Sequence, residues 1–140
     1  MVENRIKIVA FLCHWCSYGA ADLAGVSRMQ YPADIRVIRI PCSGRIDVKL
    51  ILSALQEGAD AVWVSGCHPG ECHYLEGNYY ARRKLILMAN LMTHVGLGRD
   101  RILLSWISSA EASKFARLAK TLAQTIAKLG PNDKRMKKTA

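Results

Sequence analysis

The chain has 140 residues, 51% of them hydrophobic, with 20 Lys and Arg against 11 Asp and Glu for a formal net charge of +9. That length supports one domain with a real core and leaves no room for two comfortable ones. No run approaches the roughly 18 uninterrupted apolar residues of a membrane helix. The opening MVENRIKIVAF carries Glu3 and lacks a signal-peptide pattern, so the expected setting is the cytoplasm, away from the membrane.

The first strand is expected over Ile6 to Leu12, and the C-x-x-C of Cys13 and Cys16 follows at once. A small-residue, weakly helical stretch runs from Tyr18 to Met29 and stops before Tyr31-Pro32, because the residue ahead of a proline avoids helical geometry. Ile35 to Ile40 reads as a second strand, placed toward an edge by Arg36 and Arg39, with Cys42 just beyond it. Asp47 is suited to cap a helix in which Val48, Ile51, Leu52 and Leu55 recur with helical spacing, and Gly58 ends it. Ala61 to Ser65 is the most apolar strand and therefore the central one. Cys67 and Cys72 occupy the loop after it, in GCHPGECH.

A long helix is expected from about Asn78 to Val95, with Ala81, Leu85, Met88, Met92 and Val95 on one stripe and Gly96 closing it. Arg82, Arg83 and Lys84 in its first turns oppose the helix dipole, so local helix stability does not explain them. They suit an anionic centre or an acidic partner, as does Arg45, or else form a solvated basic face. The fourth strand spans Ile102 to Ile107. Ser108 then opens a capping box, Ser-Ser-Ala-Glu111, before a helix burying Phe115, Leu118, Leu122, Ile126 and Leu129. Gly130-Pro131 terminates it. Residues 1–130 are thus expected as one domain and 131–140 as a basic, disordered tail. The tail explains only part of the positive charge. Base-stacking aromatics are not organised along the chain, so nucleic acid is not an expected partner.

Strands alternating with helices imply βαβ units and right-handed crossovers. The expected fold is α/β: a small flavodoxin-like three-layer α/β/α domain whose four-stranded parallel sheet has the order 2-1-3-4. Ligands of such sheets sit beyond the strands' carboxyl ends, where the strand order reverses. Cys13, Cys42 and Cys67 all fall at that end. Helix N-termini face it too and favour negative charge.

A single cysteine is ordinarily a small buried hydrophobe. Five at one sheet end make a metal or redox site, and a cytoplasmic protein would not hold them as structural disulfides. C-x-x-C alone admits a dithiol, half a zinc site or half an iron–sulfur site. The additional pair, Cys67 and Cys72, counts against a simple dithiol, and spacing leaves zinc and iron–sulfur both open. His14, His68 and His73 each follow a cysteine directly. Their spacing is not that of a Rieske centre, so they are expected beside the site or exposed. Gly44, Gly66 and Gly70, with His68, are candidates to line the cofactor where backbone passes close to sulfide.

CHWCSYGAADLAGVSRMQYP, IPCSGRID, GCHPGECHYLEGNYYARRK and LSWISSAE together resemble the delta subunit of the methyl-viologen-reducing [NiFe] hydrogenase, from about Ile6 to Gly130. The resemblance implies an electron-transfer component of an oxidoreductase complex, with one [2Fe–2S] cluster and no substrate-turnover site of its own. It implies relay from the hydrogenase small subunit, or from formate dehydrogenase in some organisms, to the flavin-bearing A-subunit of heterodisulfide reductase. That flavin bifurcates electrons in methanogenesis. All five cysteines of the family pattern are present, while such a cluster takes four. The sequence suggests Cys13 with Cys16 and Cys67 with Cys72, leaving Cys42 as the least secure. The alternatives are a zinc-bound, non-redox adaptor and a thiol–disulfide oxidoreductase using Cys13 and Cys16.

Overall fold

A computed structural model describes residues 6–133. Four strands, β1 (Ile8–Cys13), β2 (Ile35–Ile40), β3 (Ala61–Gly66) and β4 (Ile102–Trp106), alternate with four helices. These are α1 (Ser17–Val26), α2 (Val48–Gln56), α3 (Gly77–His94) and α4 (Ala112–Leu129). Single turns of 3-10 helix at Ser43–Arg45 and Arg99–Arg101 complete the set. Every strand pair is parallel and the order is β2-β1-β3-β4, as the pattern of apolar runs implies.

Successive strand residues point to opposite faces, so each face builds its own core. On one side Ala10, Leu12 and Trp63 meet Ala20 and Ala24 of α1 and Phe115, Ala119, Leu122 and Ile126 of α4. Small residues let α1 lie close to α4, where a side chain at Gly19 would come within 3.2 Å of Ser109 Cβ. Phe115 stacks on Trp63 with ring centroids 5.1 Å apart. On the other side Phe11, Val62 and Val64 meet Ile51 and Leu55 of α2 and Ala81, Leu85, Met88 and Met92 of α3. β3 is buried along its whole length, whereas β2 is exposed at Arg36 to Arg39, the edge its arginines suggest.

Three local expectations are refined. Asp47 caps α2 as expected, its Oδ1 accepting from Leu50 N–H at 2.8 Å. α4, by contrast, begins at Ala112, four residues beyond Ser108. Only the return half of the capping box forms: Glu111 accepts from Ser108 N–H at 3.0 Å, while Ser108 to Glu111 is a turn closed by Glu111 N–H on Ser108 C=O. The tail also starts ordered. Asn132 is buried; its N–H donates to Asp60, and its side-chain amide donates to the carbonyls of Leu55 and Ala59. Arg101 adds to this latch by donating to Gly130 C=O at 3.1 Å. The remainder of the expected tail, 134–140, lies outside the described residues.

The path runs from β1 outward to β2 and then back across to β3, so the order reverses between β1 and β3. The carboxyl ends of those two central strands, Cys13 and Gly66, define the place to look for a site.

Candidate metal centre

All five cysteines gather at that end, unoxidised, in one packed cluster. Cys13 is the last residue of β1, and Cys67 directly follows β3. Cys16 sits at the start of α1, Cys42 caps the 3-10 turn after β2, and Cys72 closes on the start of α3. Cys13, Cys16 and Cys67 have sulfurs all within 4.8 Å of one another. Two sulfur contacts cross the sequence motifs: Cys13 Sγ to Cys67 Sγ is 3.7 Å, and Cys42 Sγ to Cys72 Sγ is 3.7 Å. Cys16 lies with the first pair, in contact with both Cys67 and Cys13. Parallel pairing sets the first contact, because β1 and β3 run side by side and end together.

Backbone amides surround the sulfurs. Ser17 N–H donates to Cys13 Sγ and Gly44 N–H to Cys42 Sγ, each at 3.4 Å. For Cys72, burial alone would raise the pKa, but donors at Asn78, Tyr74 and Gly77, helped by the Cys42 thiol, outweigh it and lower it. Burial raises Cys42 itself. In the other pair, the hydrogen bond from the Cys67 thiol outweighs burial and, with the Ser17 amide, brings Cys13 down to about 5. Cys67 is raised by that same bond and by burial, and Cys16 is raised mainly by burial. Each close pair thus holds one thiolate-leaning sulfur and one thiol, the arrangement from which a cation displaces the remaining protons.

The predicted lining residues divide. Gly44 supplies a donor to sulfur, and a Cβ on it would meet Gly77 Cα at 2.9 Å. Gly66 serves packing: a Cβ there would meet Ser43 Oγ at 2.5 Å, and its carbonyl accepts from Ser17 Oγ and Ile107 N–H. Gly70 is a turn residue with φ +85 and open space around it. His68 bonds Glu111 instead of sulfur, which links the Cys67 loop to the start of α4. Ser108 N–H and His68 together bring the Glu111 carboxyl down to about 2. His73 stacks on Trp15 at 3.9 Å between centroids, and His14 meets Trp15 edge-on, so both lie on the outer surface. Lys84 folds back to donate to the Gly44 and Ile46 carbonyls, each at 2.9 Å, and fixes the Cys42 loop against α3.

Three contributors were missed by sequence reasoning. Gly77 has its Cα side against both sulfurs of the second pair: a Cβ would clash with Cys42 Sγ and come within 3.3 Å of Cys72 Sγ. Asn78, fully buried, donates from Nδ2 to the Cys67 and His68 carbonyls at 3.0 and 2.9 Å. Ser17 touches Cys13 and, through Ser65 and Ser105, extends a chain of buried hydroxyls to Trp63 Nε1. Buried serines in otherwise apolar strands were the available signal for the last of these.

The donor set fits a soft metal centre. Thiolates select zinc, copper(I) or iron–sulfur. A metal with bonds to sulfur of about 2.3 Å holds two of its tetrahedral sulfurs about 3.8 Å apart, close to both observed pairs. Amide donors to sulfur and a cradle that only glycine leaves open suit an anionic cluster.

A three-layer α/β domain with five thiols at its switch point carries a donor set that could hold a metal. The family model described as methyl-viologen-reducing hydrogenase, delta subunit, matches residues 8–130, and the chain belongs to that family. It is 47% identical over 132 residues to the iron-sulfur D-subunit of the vhc F420-non-reducing hydrogenase of Methanococcus voltae, covering 94% of this chain and 92% of that one. The iron-sulfur D-subunit of the F420-non-reducing hydrogenase of Archaeoglobus profundus is 49% identical over 129 residues, 92% of this chain and 94% of the relative. A third relative differs in length. The A-subunit of the ferredoxin/F420H2-dependent CoB-CoM heterodisulfide reductase of Methanosarcina acetivorans is 44% identical over 124 residues. Those are 89% of this chain but only 16% of that protein.

Proposed function

We propose that this chain is the electron-relay component of a hydrogenase–heterodisulfide reductase complex and holds one [2Fe–2S] cluster. The observation that carries the reading is the pair of 3.7 Å sulfur contacts at the switch point. Cys13 with Cys67 and Cys42 with Cys72 would hold a [2Fe–2S] cluster, which takes four thiolates. Cys16 is then the fifth thiol, beside the first pair. Sequence spacing had favoured Cys42 for that place, and its contact with Cys72 and its Gly44 donor argue for exchanging the two. The cluster supplies single-electron transfer; the chain's part is to hold it, to tune it through amide donors, and to keep it near the surface.

The relatives' names support the partners. Iron-sulfur D-subunits of hydrogenases point to the hydrogenase as donor, through its small subunit. A homologous stretch within the A-subunit of heterodisulfide reductase points to that flavin-bearing protein as acceptor. Formate dehydrogenase is the alternative donor, and the acceptor's flavin performs the bifurcation. The chain itself turns over no substrate. Its place of work is the cytoplasm, where thiols stay reduced. Among the described residues no helix is long and apolar enough to cross a membrane.

Cysteine-to-serine variants purified anaerobically test the ligand set. Cys67→Ser and Cys42→Ser are expected to lose the visible chromophore and electron delivery to heterodisulfide reductase, and Cys16→Ser to keep both. An unchanged Cys67→Ser spectrum rejects the centre; a bleached Cys16→Ser with an intact Cys42→Ser restores the spacing-based assignment.

A further inference from the structure

Eighteen-residue α3 is apolar on both sides. Ala81, Leu85, Met88 and Met92 fill the core. On the opposite side, Tyr79, Tyr80, Ile86, Leu87 and Leu91 stand in solvent, with Tyr80 50%, Ile86 54% and Leu87 63% exposed. Exposed apolar side chains gathered on one helix face mark a contact site. Just before the helix, Leu75 is held at φ +69 with its side chain 78% exposed, a conformation and a placement that a lone apolar residue rarely takes.

Charge narrows what covers this face. From Gly77 to Arg99 the chain has no acidic residue. Lys84 is committed to the Gly44 and Ile46 carbonyls, which leaves Arg82 and Arg83 exposed along the strip, Arg83 with its guanidinium 5.8 Å from the Tyr80 ring centroid. At 3.6 residues per turn Arg83 falls between the Tyr79–Ile86 row and the Tyr80–Leu87–Leu91 row, with Arg82 to one side, so the face interleaves apolar side chains with guanidinium groups. Its complement is a protein surface that sets carboxylates among apolar side chains.

We propose that the outer face of α3 is the docking surface for the acceptor, the A-subunit of heterodisulfide reductase, through a patch that sets carboxylates among apolar side chains. This rests on the relay reading. Electron transfer falls steeply with distance, so the acceptor must seat beside the thiol centre, and α3 begins there with Gly77 against Cys42 and Cys72. Relatives in which this domain is one part of a heterodisulfide reductase chain favour that protein, held in the same chain, over the hydrogenase as the occupant.

Hydroxyl-radical footprinting of the isolated chain and of the assembly purified anaerobically from its host tests the proposal. Oxidation of Tyr79, Tyr80, Ile86 and Leu87 is expected to fall several-fold in the assembly. The double variant Ile86→Asp/Leu87→Asp is expected to keep its iron and chromophore yet lose co-purification of the heterodisulfide reductase. Arg82→Glu/Arg83→Glu, which reverses the surface charge and removes the Arg83 contact with Tyr80, is expected to weaken retention most at low salt. An assembly whose α3 is oxidised as fast as in the free chain overturns the docking surface and leaves the relay standing. Failure of wild-type chain to co-purify with the heterodisulfide reductase overturns the relay reading, and the docking surface with it. Protection in the isolated chain that vanishes on dilution assigns the face to a second copy, and protection by anionic lipid vesicles alone assigns it to a membrane; either result overturns the proposal.

Discussion

α3 and α4 are both 18 residues long, and both start at the carboxyl end of the sheet, yet they are built for different work. α4 is cleanly amphipathic. Phe115, Ala119, Leu122 and Ile126 face the core, while Ser113, Arg117, Lys120, Thr121 and Gln124 face solvent. α3 buries a comparable stripe but exposes a second apolar one, and its first residues, Gly77 and Asn78, hold the thiol centre. The difference teaches that packing against the sheet accounts for α4's pattern. It does not account for α3's, whose outer apolar side chains add nothing to the core, and so that pattern looks poor as a simple surface helix.

The largest expected effect is on α4's inner face. Phe115→Ala removes a fully buried ring stacked on Trp63 and is expected to cost about 3–5 kcal/mol in urea unfolding. The matching truncation on α3's outer face, Leu87→Ala, is expected to change stability by less than about 0.5 kcal/mol, the usual range for surface sites. If it costs as much as a core residue, α3's outer stripe is structural and the contrast fails.

A change at α3's start should separate folding from cofactor. Gly77→Ala introduces a Cβ against Cys42 and Cys72, so iron content is expected to drop sharply while the circular dichroism spectrum stays near wild type. Retention of full iron would show that the second sulfur pair moves freely or takes no part.

The smallest effect belongs to α4's start. Ser108 N–H and His68 hold Glu111 at about 2, below its ordinary 4.5, so its contribution is complete above about pH 4.5 and is lost as pH falls through about 2. The gap in urea midpoint between wild type and Glu111→Gln is expected to be full at about pH 5 and to close toward about pH 2. A gap that stays open in acid would place the effect elsewhere.

Much of this was legible in the sequence. The strand order followed from where the apolar runs and the interrupting arginines fall, and that order alone brought Cys13 and Cys67 to one place. The contacts of Cys13 with Cys67 and of Cys42 with Cys72 were hidden, because these partners lie far apart in the sequence. Cys13 and Cys67 meet because parallel strands end together, whereas Cys42 and Cys72 meet through two loops packed on α3. Gly77 was hidden for the same reason: its value lies in an absent Cβ beside sulfurs distant in sequence. The start of α4 was misplaced because Ser-Ser-Ala-Glu fits both a capping box and the turn observed, and the Glu111–His68 contact favours the turn.

The central claim is the centre itself, and anaerobic metal and sulfide analysis of the wild-type chain, joined to EPR after dithionite reduction, tests it most directly. About two irons and two sulfides per chain with a signal from a reduced cluster are predicted for one [2Fe–2S] centre. Stoichiometric zinc, no sulfide and a silent spectrum would contradict it and make the chain a zinc-bound adaptor.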